Sequence, residues 1–285
     1  MRKALEPLIL PILKFATRSY VAGDDLDDAL QICDSAASRA YGVTVCYWQE
    51  TGEDPRSVAS HYDRAIDRIA EKALDGHLAV KIPGLHERED LVRAVVEHAR
   101  AKEVTAVFDA HGPEKVEDVF TAAEALGPRL LGMVIPGRWR RSLDDADRAV
   151  ALGLRVRVVK GEFPGPDEPY ASLREGYLAV IDRLAGRAGM VGVATHDAEL
   201  SREAIRRLQA AGTPCEQELL FGMPFEPAAA EGRKAGIRTR IYVPYGSAWL
   251  PYSLSRAFKD PRMIGWLARD FLAGRAREIP APPQG

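Results

Sequence analysis

Three cysteines in 285 residues, Cys33, Cys46 and Cys215, are too few and too far apart to staple a fold. An odd, scattered set supports neither a disulfide framework nor a zinc motif, so the thiols are expected to be reduced and buried. An excess of charge of one sign is lacking too: 39 Lys and Arg against 41 Asp and Glu leave a formal net charge of -2. Binders of polyanions carry a clustered basic excess, so neither nucleic acid nor an anionic membrane surface is an expected partner, and small molecules are. The apolar stretch Leu8–Phe15 is too short to span a bilayer and no small-residue cleavage site follows it. It reads as part of an amphipathic N-terminal helix, with no integral membrane segment and a cytoplasmic location expected.

What is present is an ordinary globular composition, 46% hydrophobic and 28% charged, at a length that suits an α/β barrel, which commonly needs about 250 residues to close. Eight short apolar runs rich in β-branched residues recur along the chain: Gly42–Tyr47, His77–Ile82, Val104–Asp109, Leu130–Ile135, Leu154–Lys160, Met190–Thr195, Pro214–Leu219 and Ile237–Val243. Stretches of helical periodicity separate them, such as Asp54–Leu74, Arg88–Lys102, Val116–Leu126, Leu143–Leu152, Ala171–Ala185 and Ala198–Ala211. This alternation is the mark of parallel βαβ units, and runs that are apolar throughout suit strands covered on both faces. The seventh run is the exception, because Glu216 and Glu218 sit two apart on one side of a strand, and a barrel would have to point them inward or into a polar site. The expected fold is a distorted (β/α)8, TIM-like barrel in a single domain, with residues 1–23 as an N-terminal helical extension and 276–285 as a flexible tail.

In such a barrel the active site forms at the C-terminal ends of the strands. Several runs here end in polar residues: Lys81, Asp109, Lys160 with Glu162, His196 with Asp197, Glu218 and Tyr245. One charged strand end is unremarkable solvation, but six converging ends point to a site. The loop Gly161–Asp167 (GEFPGPD) has neither the glycine spacing nor the lysine of a phosphate loop and reads as a turn-rich cover over the mouth. Arg138, Arg140 and Arg141 around Trp139 form a basic cluster too small for nucleic acid, suited to a structural role or a pyrophosphate contact.

From about Asp24 to Leu272 the sequence resembles the proline dehydrogenase family. The resemblance is carried by VKIPG with Lys81, VFDA with Asp109, RVRVVKG with Arg157, Lys160 and Gly161, and ATHD with His196. EQELLFGM with Glu218, the run from Arg240 to Trp249 and PYSLSR with Tyr252 and Arg256 continue it in order. The resemblance implies an FAD-dependent oxidation of proline, or of a related cyclic or secondary amino acid, by hydride transfer, with an electron acceptor that the chain does not identify. It implies catalytic roles for Lys81, Asp109 and Tyr252. FAD contacts would fall to Asp109, Arg157, Lys160, Gly161, His196 and Glu218. The substrate carboxylate would fall to Arg256, with Ser255, Lys259 and Tyr252 around it.

The chain departs from the family pattern inside the pocket. Where the family's last helix carries two adjacent arginines and then a glutamate, this sequence has Ser255, Arg256 and Lys259. Family glutamines stand here as Pro136 and Glu218, and the alanine and tyrosine after KG as Glu162 and Phe163. These changes raise two alternatives. Asp109, Glu162, His196 and Glu218 are hard ligands that suit a divalent metal, which would make the chain a metal-dependent lyase, isomerase or hydrolase. The barrel could otherwise be a catalytically inactive, proline dehydrogenase-like binding protein.

Overall fold

Short, mostly apolar runs become strands whose outer faces need cover, and the helical segments between them supply it. In the computed structural model, which describes residues 22–109, 111–223, 226–247 and Ile279, eight parallel strands close into one barrel. They are β1 (Gly42–Tyr47), β2 (Gly76–Val80), β3 (Thr105–Phe108), β4 (Leu131–Pro136), β5 (Arg155–Val159), β6 (Val191–Ala194), β7 (Cys215–Leu220) and β8 (Thr239–Tyr245). Helix α1 (Leu26–Ala37) precedes β1 and packs on β1 and β8. The connections are α2 (Pro55–Glu71), α3 (Glu89–Ala101), α4 (Val116–Leu126), α5 (Ser142–Ala151), α6 (Leu173–Leu184), α7 (Ala198–Ala210) and α8 (Glu226–Lys234). All eight expected strands are present, each within two residues of its expected bounds. Of the expected N-terminal extension 1–23 and tail 276–285, only Ala22, Gly23 and the buried Ile279 are among the described residues, and no described helix is long and apolar enough to cross a membrane.

Closure is set by register. Val43 of β1 is paired with Gly76 of β2 on one side and Ile241 of β8 on the other, so the first and last strands meet without a free edge. Helix starts are fixed locally: Asp25, Asp54, Ser172 and Asp197 each accept a hydrogen bond from a first-turn amide of their helix, which satisfies a donor that the helix itself cannot.

The two faces of each strand differ in chemistry. Outward side chains such as Val45, Leu78, Phe108, Ile135 and Val158 are buried in one continuous apolar shell beneath the helices. Inward positions carry charge on three strands, not one, which corrects the expectation that only the seventh run breaks an apolar pattern. Arg155 and Arg157 of β5, Glu216 and Glu218 of β7 and Arg240 of β8 bond to one another across the barrel, and all but Arg155 are at most 5% exposed. Buried charges persist only when paired and hydrogen-bonded. Arg240 is the fullest case: Nε donates to Glu216 Oε1 at 2.8 Å, Nη1 to the Val43 and Asp75 carbonyls and Nη2 to Asp75 Oδ1 and Glu216 Oε2.

Large guanidinium side chains need room inside a closed sheet, and glycines on neighbouring strands provide it. Gly42 is the register partner of Arg240, and a Cβ there would lie 2.9 Å from the guanidinium carbon. Gly132 partners Arg155, where a Cβ would meet its Cβ at 3.2 Å. Because the Arg240 guanidinium is pinned by its hydrogen bonds, Gly42→Ala should destabilise the fold by about 1–3 kcal/mol. Urea unfolding checks this, and an unchanged midpoint would show that Arg240 is free to yield.

Candidate active site

The C-terminal mouth of the barrel gathers side chains from six strands. Lys81 follows the last residue of β2, and its backbone N–H donates to Tyr62 Oη at 3.0 Å. Asp109 follows β3, its N–H bonded to the Val80 carbonyl at 2.9 Å. The Lys81 ammonium lies 3.3 Å from Asp109 Oδ2 and 2.6 Å from Cys46 Sγ, and sits over the Trp48 ring at 4.6 Å. Tyr242 Oη donates to the same Asp109 oxygen at 2.7 Å. Arg157 reaches both ways, Nη2 to Asp109 Oδ1 and Nη1 to Glu218 Oε1, each at 2.5 Å, with the Tyr242 ring 5.0 Å away.

This packing sets the charge states. Burial alone would push the Asp109 carboxyl up, but Lys81, Arg157 and the Tyr242 hydroxyl overcome it and hold the group below the usual carboxylate range. Burial likewise opposes charge on Lys81 and Arg157, yet their anionic neighbours raise both. Tyr242 is pushed well above its ordinary value by burial and by the Asp109 charge, so it stays a neutral donor. The mouth therefore holds two cations, Lys81 and Arg157, against two carboxylates, Asp109 and Glu218.

Around this centre the rim is more exposed. Lys160, just past β5, lies 3.3 Å from Asp197 Oδ2, and Arg174 approaches the other oxygen of Asp197 at 3.5 Å. Asp197 also caps α7, which ties the rim to the helix frame. His196 Nε2 accepts from the Leu220 N–H at 3.0 Å. Gly161 turns the chain with φ 95°, a value that favours glycine, and leads into the covering loop. That loop is held down: Trp139 Nε1 donates to the Phe163 carbonyl at 3.0 Å, Arg138 pairs with Glu168 at 2.7 Å and Arg140 with Asp167. Arg141 pairs with Asp145 and Glu117, so the basic cluster takes its structural role rather than presenting free cations.

The structure thus brings Lys81, Asp109, Arg157 and Glu218 into direct contact, with Lys160, Gly161 and His196 at the same end of the barrel. The singled-out Tyr245 faces away from them, buried, with its hydroxyl toward the His61 carbonyl at 3.4 Å. Tyr252, Ser255, Arg256 and Lys259 lie outside the described residues. The divalent-metal reading is corrected. Asp109 gives one oxygen to Arg157 and the other to Lys81 and Tyr242, Glu218 gives one oxygen to Arg157, Glu162 is on the exposed part of the loop, and Nε2 of His196 is engaged by a backbone amide. No group of three metal-binding side chains forms among the described residues. Cys46 and Tyr242 were missed. Their parity was the available signal, since Cys46 is two residues from Thr44 and Tyr242 two from Arg240, on the inward face.

A closed parallel barrel with a buried cluster of charges at the C-terminal ends of its strands has the architecture of the (β/α)8 barrels, whose active sites, where they are enzymes, form at that face. Within that class the chain is similar in sequence to bacterial proline dehydrogenases. It is 25% identical over 279 residues to proline dehydrogenase 1 of Bacillus subtilis (strain 168), covering 91% of each chain. It is 24% identical over 281 residues to the proline dehydrogenase of Deinococcus radiodurans, covering 90% of this chain and 89% of the relative. No family model matches. Proline utilization A from Bdellovibrio bacteriovorus, in a structure of the protein inactivated by N-propargylglycine, superposes with a TM-score of 0.76 at 17% identity over 85% of this chain. The chain spans 32% of that larger protein, and the likeness establishes the shared barrel fold.

Two imidazoles carry a pH signature. His111 is lowered to about 4 by burial, and His77 is held well below its usual value by burial and by Arg240, Arg155 and Arg157. Between the ordinary value of about 6.5 and the lowered ones, the unfolded chain binds protons that the folded chain refuses, so stability falls as the pH drops through that window. Urea unfolding at pH 7 and pH 5 should differ by on the order of 2–4 kcal/mol for the two groups together, and His111→Gln should roughly halve the difference. An unaltered pH dependence in that variant would show that His111 is protonated in the fold.

Proposed function

We propose that the chain is a flavin-dependent dehydrogenase that oxidises the C–N bond of proline or a related cyclic or secondary amino acid, with FAD as its cofactor. The observation that carries this is the Lys81, Asp109, Arg157 and Tyr242 cluster at the barrel mouth of a chain similar to proline dehydrogenases over nine-tenths of its length. The residues suit an electron-rich ring. Arg157 Nε is a buried donor with no partner among the described residues, and the Arg157 and Lys81 cations stand beside it in a largely dry site. Bound FAD would supply the hydride acceptor, N5 of its ring, with negative charge developing near N1 and O2.

The chain's own groups then have definable tasks. Arg157 offers fixed positive charge where that anionic character develops, and Asp109 and Glu218 keep its guanidinium in one orientation. Lys81, steadied by Asp109 and the Trp48 ring, would orient the substrate at the barrel mouth. Lys160, Gly161 and His196 line the rim where the rest of the cofactor would extend. The substrate carboxylate is assigned to Arg256, since a planar guanidinium can bind it with two parallel hydrogen bonds, and Tyr252 and Lys259 complete the substrate residues that the resemblance implies. Ser255 in place of a second arginine removes a charge-assisted contact, which weakens proline itself and favours substrates that need less of the clamp. The electron acceptor is a separate partner, and the reduced thiols fit a cytoplasmic setting.

The test is spectroscopic. Protein supplied with FAD should show bound-flavin absorbance near 450 nm that bleaches on anaerobic addition of proline or an analogue. A preparation that takes up no FAD overturns the proposal. Ser255→Arg should tighten proline roughly tenfold to a hundredfold, read as the concentration needed for half bleaching, with flavin affinity unchanged. Loss of flavin and substrate together in Arg256→Ala would remove that arginine from the clamp.

A further inference from the structure

The contact between Lys81 and Cys46 is closer than either side chain's ordinary chemistry requires. The Lys81 nitrogen and Cys46 sulfur are 2.6 Å apart, whereas sulfur's larger radius sets hydrogen bonds to it well beyond the usual 2.7–3.2 Å range of N–H···O contacts. That separation matches the span of one oxygen atom bonded to both. Neither atom is free to relax away. The ammonium is held by Asp109 and the Trp48 ring, and the thiol is fully buried on β1, 3.7 Å from the Tyr47 carbonyl and 4.0 Å from Asp109 Oδ2. Among the described residues no other cysteine has a lysine nitrogen in hydrogen-bonding range.

We propose that Lys81 and Cys46 form an oxygen-bridged covalent cross-link, Nζ–O–Sγ, when the protein is exposed to dioxygen. The ammonium first releases one proton to solvent. The amine and the thiol then each lose one hydrogen and two electrons. One N–H bond, the S–H bond and the bond of dioxygen break; one N–O bond and one O–S bond form; and the second oxygen leaves with both hydrogens as water. Dioxygen, the four-electron oxidant, is small enough to enter a mouth in which Lys81 is 9% exposed. The bridge removes the positive charge of Lys81 and leaves Asp109 with Arg157 as its one cation. If the proposed reaction is correct, the bridged form is the inactive one and thiol reductants restore it.

The experiment is peptide mapping, which needs no activity. Protein purified in air should gain about 14 Da over protein prepared anaerobically with reductant, from one oxygen added and two hydrogens lost. Digestion should yield a single cross-linked species joining the peptides of Lys81 and Cys46, with trypsin failing to cut after Lys81. Reductant should abolish it, and Cys46→Ser should never show it. Cys46 recovered as a free thiol or as a sulfur oxyacid, with trypsin cutting normally after Lys81, overturns the bridge. Since wild-type protein in air and under reductant already decides the matter, the conclusion does not depend on how well the variant folds. A bridged protein that binds no flavin would refute the proposed function and leave the cross-link standing.

Discussion

Arg157 is the constraint on which the centre of this molecule turns. It rises from β5 into a closed barrel, 5% exposed, and holds Glu218 on β7 with one terminal nitrogen and Asp109 beyond β3 with the other. A cation there cannot be hydrated as it would be in water, and only the two carboxylates make its burial tolerable. In return, Asp109 is kept ionised, and through Asp109 the positions of Lys81 and Tyr242 are fixed. One guanidinium thereby links the sheet's interior to the chemistry at its mouth.

The rest of the barrel follows the same logic in layers. Nearer the N-terminal ends of the strands, Glu216 joins Arg240 and Arg155, and Arg240 extends to Asp75. Such ladders are not the cheapest way to fill a barrel, since apolar side chains of equal volume are often as stable or more so. Their value lies in direction: ion pairs bonded at both ends hold side chains in single orientations, as a site that positions a substrate requires. The apolar shell under the helices supplies the stability, and the polar interior supplies the geometry.

Much of this was legible in the sequence. The eight β-branched runs and their helical spacers predicted the closed barrel, because a strand covered by helices must show a β-rich apolar run whatever its neighbours do. The convergence of Lys81, Asp109, Lys160, His196 and Glu218 on one end followed from their places at strand ends. Pairing was not legible. Whether Asp109 and Glu218 face a metal, a ligand or Arg157 depends on distances across the barrel between residues dozens of positions apart, and composition is blind to these. Cys46 and Tyr242 escaped notice for a related reason. A cysteine in an apolar run and a tyrosine inside a strand look like core until the closure of the sheet shows that their side faces inward.

The most direct test of the Arg157 constraint is a double-mutant cycle with Glu218, read by denaturant unfolding. Arg157→Met alone should cost roughly 3–5 kcal/mol because it strands a buried carboxylate. Adding Glu218→Gln should then recover a large part of that loss, since the amide carries no charge to desolvate, whereas Asp109 retains Lys81 as its partner in both variants. Two substitutions whose costs simply add would contradict the claim that these charges are held in place by one another.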